Sequence, residues 1–361
     1  MHWSWKRSAL SAVAMGLLTL TAHAELPTEQ FGMTALKPLT EPRIYLVDPS
    51  MPHLLDGRMH VLDGQSLGYL GMVGTGFSAG FISNDARKEL YVITTYHSRL
   101  QRGTRTDVVE VYDAETLNLK HEIEVPPKHA QGLAIKALQA LSPDGRFLYF
   151  QNATPAASIS VVDLEAKRFV AEMNNPGCWG ILPWQQDAHR VSTVCGDGSL
   201  LTITLKDDGT EASRSSSAPF FDPDTDPVFM HYERTGDHLT FVSYGGMVHG
   251  VQLGANGVQA DKPWSLLTAA ERKQNWRPGG FQLFEVIGDR LVVGMHPKGD
   301  EGSHKNPAEQ LWTVDLAAKQ RVARTPGFGT LSMTQTREAT PKLVLLSGLD
   351  NTLREIGRAH V

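Results

Sequence analysis

Apolar and polar residues alternate through TDVVEVYDAETLNLKHEIEV, residues 106–125, break at a polar turn opened by Asp113, and alternate again. A two-residue period on either side of a turn predicts a β-hairpin. The hairpin recurs. VLDGQSL puts Asp63, VVDLEAK puts Asp163 and TVDLAAK puts Asp315 where VYDAETL puts Asp113. The first three are spaced 50 residues apart, and weaker copies fall at ITLKDDG around Asp207 and GVQLGANG around Gly254. In each, β-favouring residues run into a polar or Gly turn and a further strand follows, as in KHEIEV and RFVAEM. An Asp at such a turn accepts from the backbone N–H groups just beyond it and so fixes the bend.

Upstream of several copies, SNDARKELYVITTY, SPDGRFLYFQN and ERTGDHLTFVSY announce another strand pair. One period therefore holds about four short strands, the signature of a propeller blade. Six turns are visible and a seventh is due just after LVLLSGLDNTL. The expected fold is all-β, a seven-bladed β-propeller over residues 42–353 with its last blade truncated. Paired β-sandwiches or another solenoid are the alternatives. PWSLLTAAERKQNW departs from the pattern: Thr268 and Glu271 stand in capping-box spacing and predict a short helix between blades.

Composition narrows the class. The 361 residues include 33 Gly and 20 Pro and carry a formal charge of −5, an ordinary globular balance. The basic stripe of a nucleic-acid-binding protein is missing, and no apolar run reaches the roughly 18 residues of a membrane span. The N-terminus reads as a processing segment. Lys6 and Arg7 precede an apolar stretch and Ala22-His23-Ala24, so residues 1–24 are expected to be a cleaved secretory signal and 25–41 an arm. EIGRAHV at the other end can be encoded by a widely used sequencing-adapter string. Native sequence is accordingly expected to end near Leu353 or Arg354, with 354–361 as read-through.

Export makes the cysteines informative. Cys178 and Cys195 are the only two and lie 17 positions apart across an apparent hairpin, so they are expected to pair. Other constellations are weaker. GFSAG matches G-x-S-x-G, but the strand, turn and strand that follow Ser78 are the wrong context for a nucleophile elbow. His296 has Asp300, Glu301 and His304 nearby, which reads as a polar rim connection rather than a metal site. Trp179, Trp184, Trp276 and Phe281 are expected in core or inter-blade packing. Arg102, Arg105 and Asp107 read as a surface ion network of modest value. The residues alone disclose no active site.

A longer resemblance does. TTYHSRLQRGTRTDVVEVYDAETL, QNATPAASISVVDL, GCW with CGDGSLLTI, PWSLL, NWRPGGFQLF, MHPKGDEGSHK and KQRVARTPG are similar to the heavy (alpha) subunit of quinoprotein amine dehydrogenases, more to the aromatic amine than to the methylamine enzymes. The similarity runs from about Pro42 to Leu353. It implies a seven-bladed propeller without a cofactor or metal of its own and no catalytic residue on this chain. A disulfide-rich light (beta) subunit carries tryptophan tryptophylquinone and the catalytic Asp. Two heavy and two light chains form a periplasmic heterotetramer that oxidises a primary amine to aldehyde and ammonia. A blue-copper protein, azurin or amicyanin, takes the electrons. The resemblance also implies that Phe77, in VGTGFSAGFISN, lines the substrate channel and that the family disulfide falls on Cys178 and Cys195. The missing closing strands and the variable Trp276-Arg277-Pro278 are departures. A self-sufficient propeller enzyme of the calcium-dependent lactonase type and a purely binding propeller are the competing readings.

Overall fold

The structure, a computed structural model, describes residue 36 and residues 42–48, 54–132 and 135–357, apart from the side chains of 78 and 79. The expected signal, nearly all of the arm and residues 358–361 lie outside the described residues.

The described chain is built of antiparallel strands in meander order. Two strands are long enough to serve two sheets. Tyr69–Asn84 pairs with Gly57–Asp63 through its first half and with Glu89–Arg99 through its second. Gln320–Gln335 likewise joins Ala308–Asp315 to Leu343–Ser347. Dividing the ladders at these two strands gives seven sheets in chain order, as the repeat predicted. The first has Arg43–Asp48, Gly57–Asp63 and residues 69–76; the last has residues 330–335, Leu343–Ser347 and Leu353–Ile356. Among the described residues each of these two end sheets has three strands, where the five between them have a full meander.

The seven sheets close into a ring, because apolar side chains are buried between each sheet and the next. Tyr91, Ile93, Val109, Leu148 and Phe150 fill the space between the second and third sheets. Tyr149, Ile159, Ile181 and Val191 fill the next. The last interface joins the end to the beginning: Ile44 and Leu62 of the first sheet meet Val344 of the last. Strand residues that alternate in sequence thus point into two successive interfaces, which is why the blades read as apolar on both faces.

The repeated turn is a defined device. Asp63, Asp113 and Asp163 each accept backbone N–H bonds of 2.8–2.9 Å from the residues two and three positions on. Asp315 accepts from Ala318 in the same way. The fourth residue after each Asp is left-handed: Leu67, Leu117, Lys167 and Lys319 have φ of 57°, 59°, 53° and 52°. Asp207 does not take this role. Asp208 caps that turn through Thr210, and Gly209 supplies the left-handed residue. The predicted helix is present as Ala269–Lys273, with Thr268 and Glu271 forming the capping box.

Candidate functional site

In a four-stranded meander the start of the inner strand and the end of its neighbour lie on one rim. Phe77 and Cys178 hold equivalent places there, opposite Thr95 and Cys195. Gly76 brings the chain into Phe77 with φ 59°. A Cβ on it would lie 2.8 Å from Thr94 Oγ1 and 3.0 Å from the Tyr96 ring, so glycine is required on two counts. The ladder slips register between Phe77 and Gly80, a bulge of the kind that re-aims a side chain. The half-buried Phe77 ring meets His97 edge-on with centroids 6.5 Å apart. Ser78 lies within the same strand, which continues to Asn84 with no helix after it.

Asp107 anchors this rim. It is fully buried and accepts from Thr95 Oγ1 at 2.8 Å, from Arg105 Nε at 2.8 Å and Nη2 at 2.7 Å, and from the His129 backbone N–H at 2.9 Å. Arg105 also donates to the His129 carbonyl at 3.1 Å. The expected surface network is instead an ion pair between the fully buried Asp107 and a half-buried Arg105, and Arg102 stands apart from it, exposed at the hairpin. Burial pushes the His129 imidazole down to about 4, against the attraction of Asp107.

Cys178 and Cys195 are bonded, as expected, across the first two strands of the fourth sheet. Tyr96, Leu100, Phe281 and Leu349 expose apolar surface near strand ends or in connections on this rim, and Phe328 does so where Gln320–Gln335 passes from one sheet to the next. Phe281 corrects the expectation of internal packing: it is 38 % exposed, whereas Trp184 and Trp276 are buried. His296 is buried and bonded to the Pro297 carbonyl, while His304 stacks on Tyr244. Among the described residues no group of three His, Cys, Asp or Glu is placed to hold a metal.

The inner strands enclose a cavity of about 920 Å³, lined among others by Tyr45, Phe81, Lys136, Glu233 and Gln335. Lys136, on a 3₁₀ turn, reaches in and meets Glu233 Oε1 at 3.0 Å and Glu285 Oε1 at 3.9 Å. His231 Nε2 lies 2.9 Å from the same Glu233 oxygen. Desolvation, with Glu233 beside it, pushes Glu285 up to about 8. The carboxyl groups of Glu233 and Glu285 converge here on one lysine ammonium. These residues escaped the sequence reading: single polar positions in apolar strands carry no motif, and only the ring brings residues 136, 233 and 285 together.

The family model for the methylamine dehydrogenase heavy chain matches residues 41–357. The chain belongs to this family. The methylamine dehydrogenase heavy chain of Methylobacillus flagellatus is 29 % identical over 341 residues, covering 93 % of this chain and 84 % of that protein. That of Paracoccus versutus is 29 % identical over 86 % of this chain and 73 % of its own length. Solved structures are alike in fold alone. Hydrazine synthase of Kuenenia stuttgartiensis aligns at TM-score 0.56 and 14 % identity, over 84 % of this chain and 90 % of that one. A putative 6-phosphogluconolactonase of Bacteroides fragilis aligns at 0.59 and 10 %, over 89 % and 91 %. Within the family's heavy-chain architecture, the rim around Phe77 combines a re-aimed aromatic ring, a rigid buried anchor and exposed apolar side chains.

Proposed function

We propose that this chain is the heavy subunit of a periplasmic amine dehydrogenase, holding a light subunit on the Phe77 rim and walling the channel through which a primary, preferentially aromatic, amine reaches it. The observation that carries this reading is the family membership over residues 41–357. Tyr96, Leu100, Phe281, Phe328 and Leu349 support it as an apolar rim suited to a partner surface. The assembly is a heterotetramer of two heavy and two light chains, and a blue-copper protein, azurin or amicyanin, receives the electrons.

Tryptophan tryptophylquinone, carried by the light subunit, supplies the two-electron oxidation of the amine. The described tryptophans of the heavy chain do not suit such a group. Trp276 and Trp312 pack with centroids 5.2 Å apart, but both are buried, beneath Arg324, and donate their indole N–H to Gln274 and Gln310. The work of this chain is steric. Phe77 narrows the channel, the Asp107 anchor keeps the rim rigid, and the apolar residues exclude water once the partner is seated.

The test is co-expression with a light subunit and its maturation proteins. The assembled enzyme is expected to reduce a dye in the presence of tyramine or phenethylamine, and more slowly with methylamine. Phe77→Ala is expected to change that preference by roughly tenfold, within the range by which close fit discriminates substrates. Amine turnover by the purified heavy chain alone would overturn the reading.

A further inference from the structure

We propose that Thr95 and His97, both on the strand Glu89–Arg99, are positioning residues for Phe77 and through it set which amines pass. The proposal rests on the reading of Phe77 as a channel residue. Side chains directly opposite in an antiparallel ladder share a face. Phe77, Thr95 and Asp107 form one such row across three strands, and His97 and Arg105 form the adjoining row.

Phe77 cannot be held by its own strand. Left-handed Gly76 precedes it and the ladder slips immediately after it. Its neighbours on Glu89–Arg99 take over. Thr94 Oγ1 donates to the Thr75 carbonyl at 2.6 Å and fixes the chain on the approach side. Thr95, 1 % exposed, donates to the buried Asp107, which Arg105 and the His129 backbone also hold. The level of Phe77 in the rim is thus tied to an ion pair that cannot shift without leaving a buried charge unpaired. His97 lies edge-on to the Phe77 ring and limits its rotation, and among the described residues the buried Nδ1 of His97 has no hydrogen-bond partner. Fixing the ring to within a fraction of an ångström is what lets it discriminate between substrates.

The experiment compares small with aromatic amines in the assembled enzyme, for Thr95→Val, Thr95→Ser and His97→Ala, each alone and combined with Phe77→Ala. Thr95→Val and His97→Ala are expected to alter the ratio of kcat/KM values on the order of tenfold, mainly through KM. Thr95→Ser keeps the hydroxyl and is expected to restore the ratio. In the Phe77→Ala background the effects of Thr95→Val and His97→Ala should vanish, which a merely structural role would not produce. If Phe77→Ala alone leaves the ratio unmoved, the channel reading itself fails. If it moves the ratio while Thr95→Val and His97→Ala do not, the positioning proposal fails. A second measurement needs no partner: 4-fluorophenylalanine placed at position 77 of the heavy chain should give a single fluorine resonance. His97→Ala should shift it and Thr95→Val should broaden or split it; an unchanged spectrum in both would overturn the proposal.

Discussion

Lys136 and Glu233 meet inside the ring, Nζ 3.0 Å from Oε1, and so tie the entry to the third sheet to the inner strand of the fifth. Glu285 of the sixth sheet lies 3.9 Å from the same ammonium, and Gln335 of the seventh donates to its other oxygen at 3.2 Å. One cation, two carboxyl groups and an amide therefore link four sheets around the axis. Lys136 has its pKa raised: desolvation opposes its charge, but the two carboxylates outweigh it.

The cluster gives stability a definite pH dependence. The folded chain holds the Glu285 proton up to about 8, against an ordinary value of 4.5. The contribution is complete below 4.5 and is lost as pH rises toward 8, because the unfolded chain releases that proton first. Glu285→Gln keeps a neutral side chain at every pH. Its melting temperature, scanned across this window, is expected to fall less with rising pH than that of the parent chain. Parallel curves would contradict the assignment.

His129 acts with the opposite sign. Its imidazole stays neutral down to about 4 in the folded chain, whereas the unfolded value is 6.5. Stability is therefore fully present above 6.5 and declines as pH falls toward 4, by about 3 kcal/mol from a shift of this size. Titration of the His129 ring by NMR should show no protonation at pH 6. A midpoint near the ordinary histidine value would show that the side chain is not sealed in the folded chain.

The disulfide closes a short loop. Its two cysteines stand 17 positions apart, and the chain-entropy relation gives about 3 kcal/mol for the crosslink. The double variant Cys178→Ser with Cys195→Ser is expected to unfold at lower denaturant by about that amount while keeping the β-sheet circular dichroism of the parent. The loss should be reproduced by reducing the parent chain. A variant as stable as the parent would mean that sheet pairing alone holds this edge.

What was legible in the sequence is what repeats. The Asp turns at 63, 113, 163 and 315 were readable because a carboxylate accepting two N–H groups needs the same local pattern each time. The helix cap at Thr268 and Glu271 and the Cys178–Cys195 bond were readable because each is local or has no alternative partner. The weaker copies misled: the turn near 207 is capped by Asp208, one position later. Asp107 looked like a surface charge because its burial depends on the 126–132 connection folding over it, which no local pattern encodes. The cluster around Lys136 was invisible for a related reason, since Lys136 and Glu285 are 149 residues apart in sequence.

The left-handed residue of the repeated turn is a point where stability can be gained. Lys167 is exposed and holds φ 53° with a β-carbon, a conformation that glycine reaches without the steric penalty. Lys167→Gly is expected to raise stability by about 0.5–1 kcal/mol after the added flexibility of the unfolded chain is counted. Equilibrium unfolding in urea checks it, and a destabilised variant would mean that the lysine stem contributes packing that outweighs its strained backbone.

The interface between the last and first sheets is the place where the ring should open first. Ile44, Leu62 and Val344 form its buried core, and Ile44 retains 8 % exposure. Between the second and third sheets, by contrast, Leu148 is completely enclosed among Tyr91, Ile93, Phe150 and Val162. Large-to-small substitutions cost more where the surroundings cannot relax. Ile44→Ala is accordingly expected to cost about 2 kcal/mol and Leu148→Ala about 4 kcal/mol. Local opening precedes global unfolding where buried apolar contact is least, so amide hydrogens of Arg43–Asp48 should exchange faster than those of Phe147–Asn152 in the native chain. Hydrogen exchange read by mass spectrometry separates the two segments. Equal protection in both, together with equal costs for the two substitutions, would show that the ring is as firmly closed at its seam as between its central sheets.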